Sequence, residues 1–364
     1  MSLRCGIIGL PNVGKSTIFN ALTSSNAQAS NYPFCTIKPN VGQVRIPDER
    51  LEQISKYSNS KKIVPAMMEF VDIAGLVKGA SKGEGLGNQF LANISEMDTL
   101  AHVVRCFDDG DVVHVEGQTD PIRDIGIVET EIVLKDIEII DRFIQREKKV
   151  AKSGDNVAKK RVEAAQTLSE RLNDGTQLRC ISLKDDQKQI VDELKLLSAK
   201  KVLYVINIGE DLIGVESDAI KSVKEYAEKV GSLTVCMSGK IEQELLGLDE
   251  NDRTEFLSDL GIDRLGLYSL IAEAYRLLEI VTFFTANENE LHAWTVQIGT
   301  KLPQAAGKIH TDFEKGFIRA EVISYDDYIV YQGEAGAKEK GVMRVEGKES
   351  CVNEGDIIFF RFNT

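Results

Sequence analysis

The sequence predicts an α/β P-loop NTPase domain on a mostly parallel, doubly wound sheet, with an inserted antiparallel α-helical hairpin and a C-terminal α+β module. Three observations predict it. Short apolar runs alternate with helical stretches through much of the chain, the pattern of βαβ units. A glycine-containing loop, Gly9-Leu10-Pro11-Asn12-Val13-Gly14-Lys15-Ser16, joins the first run to the first helix. Beyond Thr282 the texture changes to short strands and turns punctuated by glycines.

Taken in order, Leu3–Ile8 is an apolar run fit for a buried parallel strand, and residues 15–22 continue as a helix. Further strands are expected at 67–71, 100–107, 201–206 and 233–237. The alternation breaks at 124–149, where Ile125, Val128, Ile132, Leu134, Ile137, Ile140 and Ile144 recur at helical spacing. A second helical stretch, 156–172, follows the turn Ser153-Gly154-Asp155, so the pair forms a hairpin projecting from the sheet. After a helix at 264–280, runs at 318–323 and 357–362 read as strands of the last module. The boundaries are 1–125 with 200–280 for the NTPase domain, 126–199 for the hairpin insertion and 281–364 for the C-terminal domain.

Composition bounds the function. The 364 residues carry a net charge of −13, with 43% apolar and 7% aromatic residues, ordinary globular values that exclude a disordered chain. No apolar stretch approaches membrane-spanning length, the N-terminus has no signal-peptide pattern, and no membrane or DNA partner is expected. Six scattered cysteines without a CxxC pair and four histidines without ligand spacing argue against zinc and against a disulfide framework. The chain reads as cytoplasmic and reduced. One asymmetry stands out: residues 145–161 hold seven bases (Arg146, Lys148, Lys149, Lys152, Lys159, Lys160, Arg161) and two acids. A basic patch at a hairpin tip on an acidic body suits local contact with a polyanion, the bland alternative being a solvated helix end.

The loop at residues 9–16 matches GxxxxGK[ST] between a strand and a helix, the context the motif needs. Backbone N–H groups from Asn12 to Thr17 can converge on phosphate oxygens, aided by the helix N-terminus. Gly14 permits close approach, Lys15 neutralises β/γ oxygens, and Ser16 offers its hydroxyl to Mg²⁺. Downstream, Asp72-Ile73-Ala74-Gly75 supplies a carboxylate for the Mg²⁺ shell and a Gly75 N–H for the γ-phosphate. Thr36, in Asn31-Tyr32-Pro33-Phe34-Cys35-Thr36, stands where a first switch completes the metal shell. The glycine-rich run 79–87 reads as a second switch.

Two departures separate the chain from an ordinary GTPase. The guanine-selecting NKxD is replaced by Asn207-Ile208-Gly209-Glu210, in which Glu210 is one methylene longer than Asp and Ile208 replaces the Lys that packs on the base. That change weakens guanine selection and favours ATP. Asn207 can still meet the purine N7 and N6 edges, and Ile208 can contact the base. The alternative is that Glu210 reaches guanine regardless. At the position following DxxG, where Ras-like enzymes place a water-orienting Gln, stands Leu76, so slow intrinsic hydrolysis is expected. His114, in the stretch 108–114, is the candidate substitute, although a lone histidine is more often structural or merely exposed. Cys35 is a candidate redox handle beside Thr36, with an inert thiol the simpler reading.

Together with Asp-Ile-Ala-Gly-Leu-Val at 72–77 and the tail Ala306-Gly307-Lys308-Ile309-His310-Thr311-Asp312-Phe313-Glu314-Lys315-Gly316-Phe317-Ile318-Arg319-Ala320, these motifs make the chain resemble, over essentially its whole length, the YchF/Obg-like ATPase family. The resemblance implies a coiled-coil insertion, a C-terminal TGS domain of β-grasp fold, ATP in preference to GTP, and association with ribosomes. It further implies that a histidine at the place of His114 serves hydrolysis. Ser238-Gly239-Lys240 resembles the base-supporting loop of GTPases, and Asn12 resembles a residue that recruits K⁺ in some of them. The expected activity is a slow Mg²⁺-dependent ATPase switching its affinity for ribosomes through the hairpin tip and TGS domain. The alternatives are an Obg-related GTPase and an ATP-gated ribosome-binding protein whose hydrolysis is incidental.

Overall fold

A computed structural model describes residues 3–27, 40–73, 86–107 and 119–363. Twelve strands occur among the described residues: β1 (Leu3–Ile8), β2 (Val41–Arg45), β3 (Lys62–Val64), β4 (Met67–Asp72), β5 (Thr99–Arg105), β6 (Lys201–Asn207), β7 (Leu233–Met237), β8 (Ile280–Ala286), β9 (Glu290–Gln297), β10 (Phe317–Ile323), β11 (Arg344–Glu346) and β12 (Ile357–Phe362). The chain divides into two compact units, one from Met1–Val44 and Glu69–Leu277, the other from Arg45–Met68 and Leu278–Thr364.

The first unit holds a six-stranded sheet in the order β2-β4-β1-β5-β6-β7. β1 pairs with β5, β5 with β6 and β6 with β7, all in parallel. Every residue of β5 and all but the first of β6 are buried, as central strands covered on both faces must be. β6 ends at Asn207, in register with Arg105 at the end of β5. Both residues therefore reach the carboxyl edge of the sheet, where open α/β folds bind ligands.

Helix Pro121–Ala151 begins with proline in its first turn and with Asp120 accepting from Arg123 N at 3.0 Å. Its 31 residues span roughly 46 Å at 1.5 Å per residue. Asp155 caps the returning helix Asn156–Asn173. Val133, Ile140, Phe143 and Ile144 of the first helix share a core with Val162, Ala165, Leu168 and Leu172 of the second. Helix Asp185–Leu194, which the sequence pattern did not single out, adds Ile190 and Val191 to that core.

Two buried carboxylates bind the first hairpin helix to β6 and to the turn that leads into it. Asp136 accepts from Leu197 N at 2.8 Å and Ser198 N at 2.7 Å, just before β6 begins. Glu129 accepts from Arg179 Nη2 and Tyr204 Oη, both at 2.5 Å, and from Tyr226 Oη at 2.6 Å. At the far end, Arg161 and Arg146 pair with Glu147 and Glu193, while Lys148, Lys149, Lys152, Lys159 and Lys160 are exposed.

The second unit is a six-stranded mixed sheet in the order β11-β10-β12-β8-β9-β3. Phe283, Val296, Leu302, Ala305, Ala306, Ala320, Val322 and Ile358 form its core. It is discontinuous in sequence: β3 pairs in parallel with β9, Lys62 opposite Glu290. Arg50 binds Asp48 at 2.8 Å and Glu354 at 2.6 Å, its guanidinium 5.1 Å from the Phe284 ring. The observed division thus gives residues 45–68 to the C-terminal unit and leaves the hairpin insertion with the P-loop unit. The helix expected at 264–280 spans Gly266–Leu277, because Glu279 adopts the left-handed region (φ 51°) and Ile280 opens β8. Among the described residues no helix is long and apolar enough to cross a membrane.

Candidate nucleotide site

The loop after β1 turns on three left-handed residues, Gly9 (φ 146°), Asn12 (φ 62°) and Gly14 (φ 94°). Two of them have no room for a side chain. A Cβ on Gly9 would lie 2.5 Å from Val103 O, and one on Gly14 would lie 2.2 Å from Asn207 Nδ2. The helix Lys15–Ala27 starts directly from the loop, with Ile18 N donating to Gly14 O at 3.0 Å. Its first N–H groups are free of intrahelical partners by construction and suit an anion.

Lys15 is 7% exposed, and its ammonium donates to Leu10 O at 2.6 Å. Burial lowers its pKa to about 8, with Asp72 pulling it back upward. Ser16 Oγ donates to Asp72 Oδ2 at 2.9 Å. A hydroxyl and a carboxylate side by side, both hard oxygen donors, are the ligand chemistry that suits Mg²⁺. Ser16 and Asp72 therefore fit a metal that would neutralise phosphate charge when bound.

A cavity of about 810 Å³ opens beside the loop, lined by Asn12, Gly14, Lys15, Ser16, Thr17, Asn207, Ile208, Glu210 and Ser238 among others. Nine of the residues singled out in the sequence thus meet at one cavity. Val13 does not line it: the side chain is 1% exposed, in the core, and only its backbone can face a ligand. Thr36, Gly75 and His114, with Cys35 and Leu76, lie outside the described residues. Phe107 and Gln243 also line the cavity and escaped the sequence reading; Gly209 and Lys240 line it too, and the sequence offers them only as members of the base-end motifs. Phe107 and Gly209 sit just past the ends of β5 and β6, where the parallel-sheet rule directs attention. Lys240 belongs to the Ser238-Gly239-Lys240 loop.

Asn207 does more than line the base end. It is 4% exposed; Nδ2 donates to Val13 O at 2.9 Å and Oδ1 accepts from Gly239 N at 3.0 Å. One amide therefore ties the phosphate loop to the start of helix Gly239–Leu246. Glu210, by contrast, is exposed at the cavity rim.

Two family models match the chain. One, described as a 50S ribosome-binding GTPase, covers residues 4–149, and one for the C-terminal domain of YchF GTPases, described as a protein of unknown function, covers residues 280–363. A protein of Pasteurella multocida named ribosome-binding ATPase YchF is 50% identical over 364 residues, the full length of both chains. Its namesake in Bacillus subtilis is 47% identical, again over the whole of both chains. The solved structure of the Schizosaccharomyces pombe YchF GTPase superposes with a TM-score of 0.90 at 35% identity, covering 99% of this chain and 98% of that one.

Proposed function

The chain belongs to the YchF family, and on that premise we propose that it is an Mg²⁺-dependent, slowly turning ATPase that binds ribosomes and switches with its nucleotide. The observation that carries the ATP reading is the base end of the cavity, where Ile208 and Glu210 stand in place of the Lys and Asp that select guanine. Glu210 is held on a short 3₁₀ turn, Glu210–Leu212, at the rim. Ile208 is buried beneath the cavity, and with Phe107 it offers an apolar bed that any purine accepts. Without an Asp aimed at N1 and N2, guanine loses its bidentate partner and adenine loses nothing.

We assign the chain's own groups the following roles. Backbone N–H groups from Asn12 to Thr17 hold phosphate oxygens, and Lys15 supplies positive charge to them. Ser16, Asp72 and Thr36 would hold Mg²⁺, which when bound would neutralise charge on the phosphates. Gly75 N–H binds the γ-phosphate, and His114 orients or deprotonates the attacking water in place of the glutamine that Leu76 cannot supply. Asn12 is the candidate K⁺ ligand.

Ribosome binding is supported by the relatives' name and by the hairpin tip, whose five exposed lysines suit a partner dense in phosphate. The test is co-sedimentation with ribosomes at rising salt. Reversing Lys148, Lys149, Lys159 and Lys160 to Glu should release the protein at low salt; unchanged binding would remove the tip from the account, leaving the C-terminal domain as the contact. The second reading is a GTPase, favoured by the name of the Schizosaccharomyces pombe neighbour, and it requires Glu210 to do the work of Asp.

A further inference from the structure

Arg105 ends β5, two residues before Phe107 of the cavity lining, and its side chain is among the largest fully buried in the described residues, at 2% exposure. A guanidinium is costly to bury unless its donors are engaged. Here Nε donates to Phe107 O at 3.1 Å, the guanidinium carbon lies 4.6 Å from the centre of the Phe107 ring, and Nη1 reaches Asn12 O at 3.4 Å. The last contact is long, but the other two hold the charged fork where it faces that carbonyl.

Asn12 is the non-glycine residue of this loop in the left-handed region, a conformation that persists only where its surroundings hold it. Across a trans peptide the C=O of one residue and the N–H of the next point in opposite directions. A cation behind the loop that draws Asn12 O outward therefore turns Val13 N–H inward, toward the concavity that would hold phosphate. On the other side of that peptide Val13 is anchored by its side chain in the core and by its carbonyl, which accepts from Asn207 Nδ2, so the Asn12 carbonyl is the end that Arg105 holds.

We propose that Arg105 is a positioning residue for phosphate binding, fixing the Asn12–Val13 peptide so that the Val13 N–H serves the β-phosphate. The proposal rests on the nucleotide-binding reading above. It concerns the apex of the loop, so it separates nucleotides that carry a β-phosphate from those that do not.

The experiment measures binding of AMP, ADP and a non-hydrolysable ATP analogue, with Mg²⁺, to the full chain and to its Arg105→Met and Arg105→Lys variants. In Arg105→Met, ADP and the ATP analogue should bind at least tenfold more weakly while AMP binds as before. Arg105→Lys keeps the charge and loses the fork, and should weaken both at least threefold with AMP again unchanged. Arg105→Lys is also the deciding variant should Arg105→Met fail to fold. A folded Arg105→Lys with wild-type affinity for all three nucleotides would overturn the proposal, as would an equal loss for AMP, which would make Arg105 a support for the base wall at Phe107. Failure of the unaltered protein to bind ATP or GTP would instead overturn the nucleotide-binding reading.

Discussion

Replacing Asn207 with leucine removes two buried hydrogen bonds at nearly constant volume. Val13 O, 2.9 Å from Nδ2, loses its donor, and Gly239 N, 3.0 Å from Oδ1, loses its acceptor. Each such bond contributes roughly 1 kcal/mol net, and leaving a buried partner unsatisfied costs about 1–3 kcal/mol. Water from the adjoining cavity can reach part of the site, so the pair together is worth about 2–4 kcal/mol. The loss is local, because the amide joins the phosphate loop to helix Gly239–Leu246 within one unit. In nucleotide-free protein, hydrogen exchange of the amides at 13–18 and 239–243 should therefore accelerate by about 30- to 900-fold, at 1.36 kcal/mol per decade. The rest of the sheet should keep its protection. If exchange in both segments is unchanged while nucleotide affinity falls, Asn207 is a base contact and not a staple, and the reasoning is refuted.

Other outcomes follow from the same geometry. Lys15 has its pKa lowered to about 8 by burial, and phosphate favours the charged form, so nucleotide affinity should be flat below pH 7 and fall about tenfold between pH 7 and 9; calorimetry in buffers of different ionisation enthalpy should show proton uptake on binding above pH 8. Glu129→Ala leaves the buried Arg179 without its carboxylate and Tyr204 and Tyr226 without their acceptor, costing about 3–5 kcal/mol. Urea unfolding followed by circular dichroism would register that as a large drop in midpoint.

What the sequence revealed follows the range of the interactions involved. The phosphate loop was legible because its whole chemistry lies in eight consecutive residues between a strand and a helix. β1, β7 and β12 matched to the residue, since short apolar runs bounded by turns carry their own signal. Asn207 was legible as a site residue but not as a staple, because its partners Val13 and Gly239 lie 194 and 32 positions away. Residues 45–68 were unreadable for the same reason. β3 has only three residues, half-exposed or more, and the strand it joins lies more than two hundred positions downstream, so no local period marks it as part of the C-terminal sheet. Arg105 reads in the sequence as a polar residue at the end of an apolar strand, and its meaning comes from contacts such as those with the carbonyls of Asn12 and Phe107.

The central claim is that a P-loop cavity with Ile208 and Glu210 at its base end selects ATP. Calorimetric titration with non-hydrolysable ATP and GTP analogues in Mg²⁺ buffer tests it most directly. A preference for ATP of at least tenfold, about 1.4 kcal/mol, is the predicted result. Equal affinities would mean that Glu210 does not discriminate, and a preference for GTP would contradict the account and return the protein to the GTPases.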